Sequence, residues 1–112
     1  MDESVLVIPR RLAVRILHAA QAASPASIRG VVGARGGEPD RVYIEPASPP
    51  PDEPCWARVW SNPQRAAVPG VEELADGALC LVVSLNTKGV LELRAWRLEN
   101  AMACEQPIAI KD

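Results

Sequence analysis

The sequence predicts an α+β domain, and three observations predict it. Residues 10–23 repeat their apolar side chains with a helical period. Almost every apolar run after them is short, and either alternates or is apolar throughout, as strands do. No second stretch of comparable length carries the helical period. One strand, one helix and then mainly strands describe a sheet packed on a single helix. A chain of 112 residues makes one domain, 1–112. Three Trp, one Tyr and no Phe leave the core to Val, Leu, Ile and Ala, so each Trp is a large share of what can be buried.

Residues 4–8 read as a short apolar strand. Pro9 suits the first turn of a helix, where its missing N–H costs nothing. Ala13, Ile16, Leu17 and Ala20 then share one helical face, with Leu12 and Ala23 at its border and Arg11, Arg15 and His18 opposite. Ser24-Pro25 ends the helix. Residues 28–34 and 41–46 are two strands joined through Arg35-Gly36-Gly37-Glu38. The prolines of segment 46–54 remove backbone donors, so it is expected to be a surface loop, mobile over residues 47–53. In residues 55–61, Trp56, Arg58 and Trp60 point one way and Cys55, Ala57 and Val59 the other. A short helix is expected near 71–75, and residues 79–85 read as a central strand. Asn86-Thr87-Lys88-Gly89 turns into a strand at 90–98, whose alternation breaks at Ala95-Trp96 and suggests a bulge. Residues 102–110 form a last strand, with Pro107 marking an edge.

Composition narrows the function. The formal net charge is −2 and no Lys/Arg cluster is dense enough to track phosphates, which argues against nucleic acid. No apolar run approaches the ~20 residues of a membrane span. The acidic start Met1-Asp2-Glu3-Ser4 argues against a signal peptide. Cys55, Cys80 and Cys104 are odd in number and lack a CxxC pair, which fits reduced thiols in the cytoplasm. His18 stands alone on a polar stripe, and a lone histidine makes no metal site. A polyproline ligand at 46–54 is disfavoured by its acidic flanks.

Three stretches carry a resemblance. The first is the apolar strand, Ile8-Pro9, the Ile16-Leu17-His18-Ala19 helix and Pro25 through Gly33, with its glycines at 30 and 33. The second is Trp60-Ser61-Asn62-Pro63 followed by Pro69-Gly70-Val71-Glu72-Glu73. The third is the strand 79–85, a turn, then Leu93-Arg94-Ala95-Trp96-Arg97. Together they resemble bacterial members of the JAB/JAMM (MPN) domain family over nearly the whole chain. The resemblance implies a mixed β-sheet packed on one N-terminal helix, with the Pro-rich loop 46–54 in place of the family's second helix. The family's zinc is gripped by two histidines spaced i and i+2 on a strand and by a carboxylate from the following helix; a glutamate serves as base and a serine holds the oxyanion.

Carried over position by position, that chemistry is lost. Trp60 and Asn62 stand for the histidines around Ser61, Glu73 for the aspartate, Gly70 for the oxyanion serine and Ser27 for the glutamate. The resemblance therefore implies no cofactor and a catalytically inactive module that binds or scaffolds another protein. The partner classes it implies are a ubiquitin-like or sulfur-carrier protein, or an active relative. The alternative is a metal-dependent (iso)peptidase with non-standard ligands, for which Cys55, Cys80, Cys104, His18, Glu72, Glu73 and Asp76 would have to converge. Simpler readings stand beside these: Trp60 as a buried filler of the vacated volume, Asn62-Pro63 as turn chemistry, Ser27 as a partner for backbone at a strand start. An unrelated small α+β fold would remove the family's implications altogether.

Overall fold

The computed structural model describes residues 5–74, 77–85 and 91–112. The acidic start, Ala75 at the end of the expected short helix, Asp76, the turn 86–89 and Val90 lie outside the described residues. Strand β1 (Leu6–Pro9) leads directly into helix α1 (Arg10–Ala23). The strands that follow are β2 (Arg29–Arg35), β3 (Glu38–Ile44), β4 (Cys55–Asn62), β5 (Cys80–Ser84), β6 (Glu92–Glu99), β7 (Met102–Gln106) and β8 (Ile108–Lys111). A 3-10 turn, Val71–Leu74, lies between β4 and β5. Six strands form one sheet in the order β3-β2-β4-β5-β6-β7, with β4 and β5 parallel and the other pairs antiparallel. The fold is α+β, a mixed sheet on one helix.

Each face of the sheet has its own core. Leu12, Ala13, Ile16 and Ala20, on one stripe of α1, pack on Val32, Ala57, Val59, Leu81, Val83 and Ala95. On the other face Ala67 and Leu74 cover Cys80, Val82 and Trp96, with Trp60, Leu98 and Ala103 at the margin. Trp96 donates its indole N–H to the Ala67 carbonyl at 2.8 Å, which fixes the covering loop. This explains why Ala95 and Trp96 are both buried without a bulge. Leu81 pairs with Ala95 and Cys80 with Trp96 in unbroken register, and consecutive residues bury because both faces are covered.

The irregularities lie elsewhere. Between the pairs Val32–Ala57 and Gly33–Cys55, Trp56 has no opposite residue, and the extra residue turns its ring onto the α1 core. The expected common face of Trp56, Arg58 and Trp60 thus holds only for the last two. Gly36 and Gly37 have φ of 61° and 81°, the left-handed geometry a two-residue hairpin demands. Strand β3 therefore starts at Glu38, earlier than expected, and carries Pro39 on the sheet edge, where its missing N–H breaks no ladder.

The end of the chain also departs from expectation. Pro107 does not mark an edge within one strand; it separates β7 from β8. Strand β8 leaves the sheet and pairs in parallel with β1, Leu6 with Ile108 through Pro9 with Lys111. The Pro-rich segment is anchored at its end, by Glu53 and Pro54, while residues 50–52 are exposed. Ala34 N–H donates to the Pro54 carbonyl at 2.8 Å, and Tyr43 donates its hydroxyl to Glu53 Oε1 at 2.7 Å. Glu53 lies over Gly33, where a Cβ would sit 1.9 Å from Oε2. The missing side chain of Gly33 is the notch that seats the loop.

Candidate functional site

Residues 63–74 roof β5 to β7 and reach the margin of β4, so the same sheet face stays open over β2 and the near side of β4. The strand pleat aims Arg29 and Val31 from β2 and Arg58, Trp60 and Asn62 from β4 into that opening. A groove of about 600 Å³ results. Of the positions singled out in the sequence, Ser27, Trp60, Ser61, Asn62 and Glu73 line it. Gly70 does not, but its N–H donates to Glu73 Oε1 at 2.8 Å. A second hollow of about 310 Å³ shares Ser27 and Asn62 and continues along Pro63, Gln64 and Arg65.

Each position is held by a specific contact or strand. Ser27 is exposed in the short segment before β2. Ser61 is 1% exposed, and its hydroxyl accepts the Ile28 N–H at 2.8 Å, so it closes the start of β2 against β4. Asn62 turns its amide nitrogen to the Ala66 carbonyl at 3.4 Å, a turn contact. Glu73 folds its carboxylate back onto the start of its own 3-10 turn, a capping interaction. The Arg58 guanidinium donates to the Glu73 carbonyl and lies 5.6 Å from the Trp60 ring centroid. Trp60 is partly buried, in keeping with the largely buried ring expected of it. One edge packs on the second core, and Nε1 is buried with no acceptor among the described residues.

These donors do not fit a zinc centre. An indole nitrogen has no lone pair to give, a neutral amide is a poor ligand, and a single carboxylate cannot hold the ion. Among the described residues no three His, Cys, Asp or Glu side chains are grouped to hold a metal. Cys55 is exposed at the start of β4, Cys80 lies in the second core, Cys104 is half-buried on β7, and His18 is exposed on α1. Glu72 is exposed beside Glu73. Charge in the groove is mixed: Arg29 and Arg58 face Glu45 and Glu73. Arg58 was readable from its alternation with Trp60, whereas Arg29 and Glu45 meet the site only through strand pairing.

No protein-family model matches the sequence. No curated protein matches it either. Solved structures do match. A protein of Desulfitobacterium hafniense superposes with a TM-score of 0.75 at 18% identity, over 96% of this chain and 94% of that one. A JAB1/MPN domain protein from Archaeoglobus fulgidus gives 0.68 at 18% identity, over 93% and 98%. The fold is JAB/MPN-like. A structure described as JAMM, a metalloprotease-like zinc site in the proteasome and signalosome, gives 0.66 at 18% identity, over 95% and 99%. The JAB/MPN-like fold thus spans the chain nearly end to end. At these identities the likeness establishes architecture and leaves activity to the side chains.

Proposed function

We propose that this JAB/MPN-like domain is catalytically inactive and works by binding another protein in the groove over β2 and β4. One observation supports the reading above others. The groove lined by Ser27, Trp60, Asn62 and Glu73 offers an aromatic floor and mixed charge, but no donor set for the family's metal. A half-buried Trp flanked by a guanidinium is the kind of feature that anchors a partner segment. The partner classes implied by the family resemblance are a ubiquitin-like or sulfur-carrier protein and an active relative of this chain.

Two measurements test the reading. Purified protein dialysed without chelator is expected to hold far less than one zinc per chain, and a stoichiometric ion would overturn the inactive assignment. Tryptophan fluorescence is expected to change on titration with a ubiquitin-like or sulfur-carrier protein, or with an active JAB relative. Trp60→Ala should weaken that binding at least about tenfold, as loss of a central aromatic anchor does. Binding that Trp60→Ala leaves intact would place the partner elsewhere.

A further inference from the structure

Two tryptophans belong to the second core, and their indole N–H groups fare differently. Trp96 donates to the Ala67 carbonyl at 2.8 Å. The Nε1 of Trp60 is buried and has no acceptor among the described residues. A buried donor left unpaired bears the full loss of its hydration, and such groups are rare in folded proteins. The ring that carries this one is only partly buried, stands at the margin of the second core and lines the groove over β2 and β4. The unpaired donor and the open groove therefore meet at one side chain.

We propose that Trp60 is the specificity-determining donor of this groove: its ring turns outward and gives its N–H to a backbone carbonyl of an extended partner segment. The inference rests on the groove reading above and names the chemistry that the partner presents there. The turn breaks no hydrogen bond, because the indole makes none. What selects a neutral acceptor is the balance of the lining. Its charged side chains are two cations, Arg29 and Arg58, and two anions, Glu45 and Glu73. Each cation has an acidic residue beside it. Glu45 N–H donates to the Arg29 carbonyl at 2.9 Å, and the Arg58 guanidinium donates to the Glu73 carbonyl. The groove thus has no excess charge with which to select a carboxylate, a phosphate or an ammonium group. The buried Ser61 hydroxyl already accepts the Ile28 N–H, and the Asn62 amide is turned to the Ala66 carbonyl. Carbonyls inside a helix or a central strand are bonded within their own chain, whereas an extended segment presents its carbonyls free.

NMR of the full chain reads the indole protons directly. In the free protein the Trp60 indole proton should exchange with deuterium at least about tenfold faster than that of Trp96, because no bond holds it. A blocked, uncharged tetrapeptide at millimolar concentration should move the Trp60 indole proton downfield and leave that of Trp96 in place. Acetate and methylammonium should move neither. Trp60→Phe keeps an aromatic ring and removes the donor, so it should weaken binding of a protein partner about tenfold. A Trp60 proton that exchanges as slowly as that of Trp96 overturns the proposal, and this is read on the unmodified chain. So does a tetrapeptide that leaves the Trp60 proton unmoved, or a shift that acetate or methylammonium produces equally. A protein partner whose binding is weakened by Trp60→Ala but not by Trp60→Phe overturns the proposal and leaves the groove reading standing. Binding that neither substitution weakens removes both.

Discussion

Tyr43 reports on the Pro-rich loop without any label, because it is the one tyrosine. Its hydrogen bond to Glu53, then burial and the nearby carboxylate charge, raise the phenol above its ordinary value of 10.0. A raised folded value means that the stabilisation is fully present below the unfolded value and is lost as pH rises through the folded one. Ultraviolet difference absorbance should therefore give a phenolate midpoint above 10.0 in the native protein. Both Glu53→Gln and Gly33→Ala should bring it back towards 10.0, the second because a Cβ at Gly33 evicts the Glu53 carboxylate. A midpoint unmoved by Gly33→Ala would mean that the loop is not seated there. Trp60 is the other informative residue. Its ring is partly exposed and packs at the margin of the second core, so Trp60→Ala should cost about 2–3 kcal/mol in urea unfolding, less than the ~3–5 of a fully buried ring. The sequence placed Trp60 on the correct sheet face but could not reveal its partial exposure. That exposure depends on how far a loop closed by a distant bond, Trp96 to Ala67, extends over the sheet.

Between elements, the edge strand β7 is tied to β6 by Arg94, which donates to both oxygens of Glu105 at 2.8 and 2.6 Å. The hydrogen bond from Arg94 holds the Glu105 carboxyl below its ordinary 4.5. The folded value is depressed, so this contribution is present above the unfolded value and is lost as pH falls through the folded one. Both side chains are substantially exposed, so the pair is worth under about 1 kcal/mol at neutral pH. Glu105→Gln should lower stability at pH 7 by that amount, and the difference should vanish in acid, once the pH has fallen through the lowered value of Glu105. A difference that persists in strong acid would assign the loss to packing instead. Helix α1 was legible to the residue, since its period and Pro25 leave little choice. The doubled face of β6 and the turn-out of Trp56 were not. One-sided alternation is the pattern a sequence reader expects, and nothing local says that Ala67 and Leu74 will roof the far side. Pro107 was read for what it forbids, a ladder bond, while its consequence was a change of sheet.

At the scale of the molecule, the JAB/MPN-like frame can be probed by giving it back the residues it lacks. The combined variant Ser27→Glu, Trp60→His, Asn62→His, Gly70→Ser and Glu73→Asp puts two imidazoles on one strand face and a carboxylate on the following turn. It is expected to bind zinc measurably by titration, with little peptidase activity, because no second helix among the described residues supports a substrate. A folded variant with no affinity for zinc would mean that these positions do not converge as the family's site does. The groove was legible only through the resemblance, since composition and periodicity name no site; the resemblance in turn is silent about how β1 and β8 meet. That pairing has a consequence in time. Leu6 and Ile108 are 102 positions apart, so β1 has no strand to join until nearly all of the intervening chain has been made. Its closure must be paid for before it is rewarded, which makes it a late event in folding. Until then Leu6 and Ile8 wait uncovered on one side, and a chain cut before Ile108 would wait indefinitely.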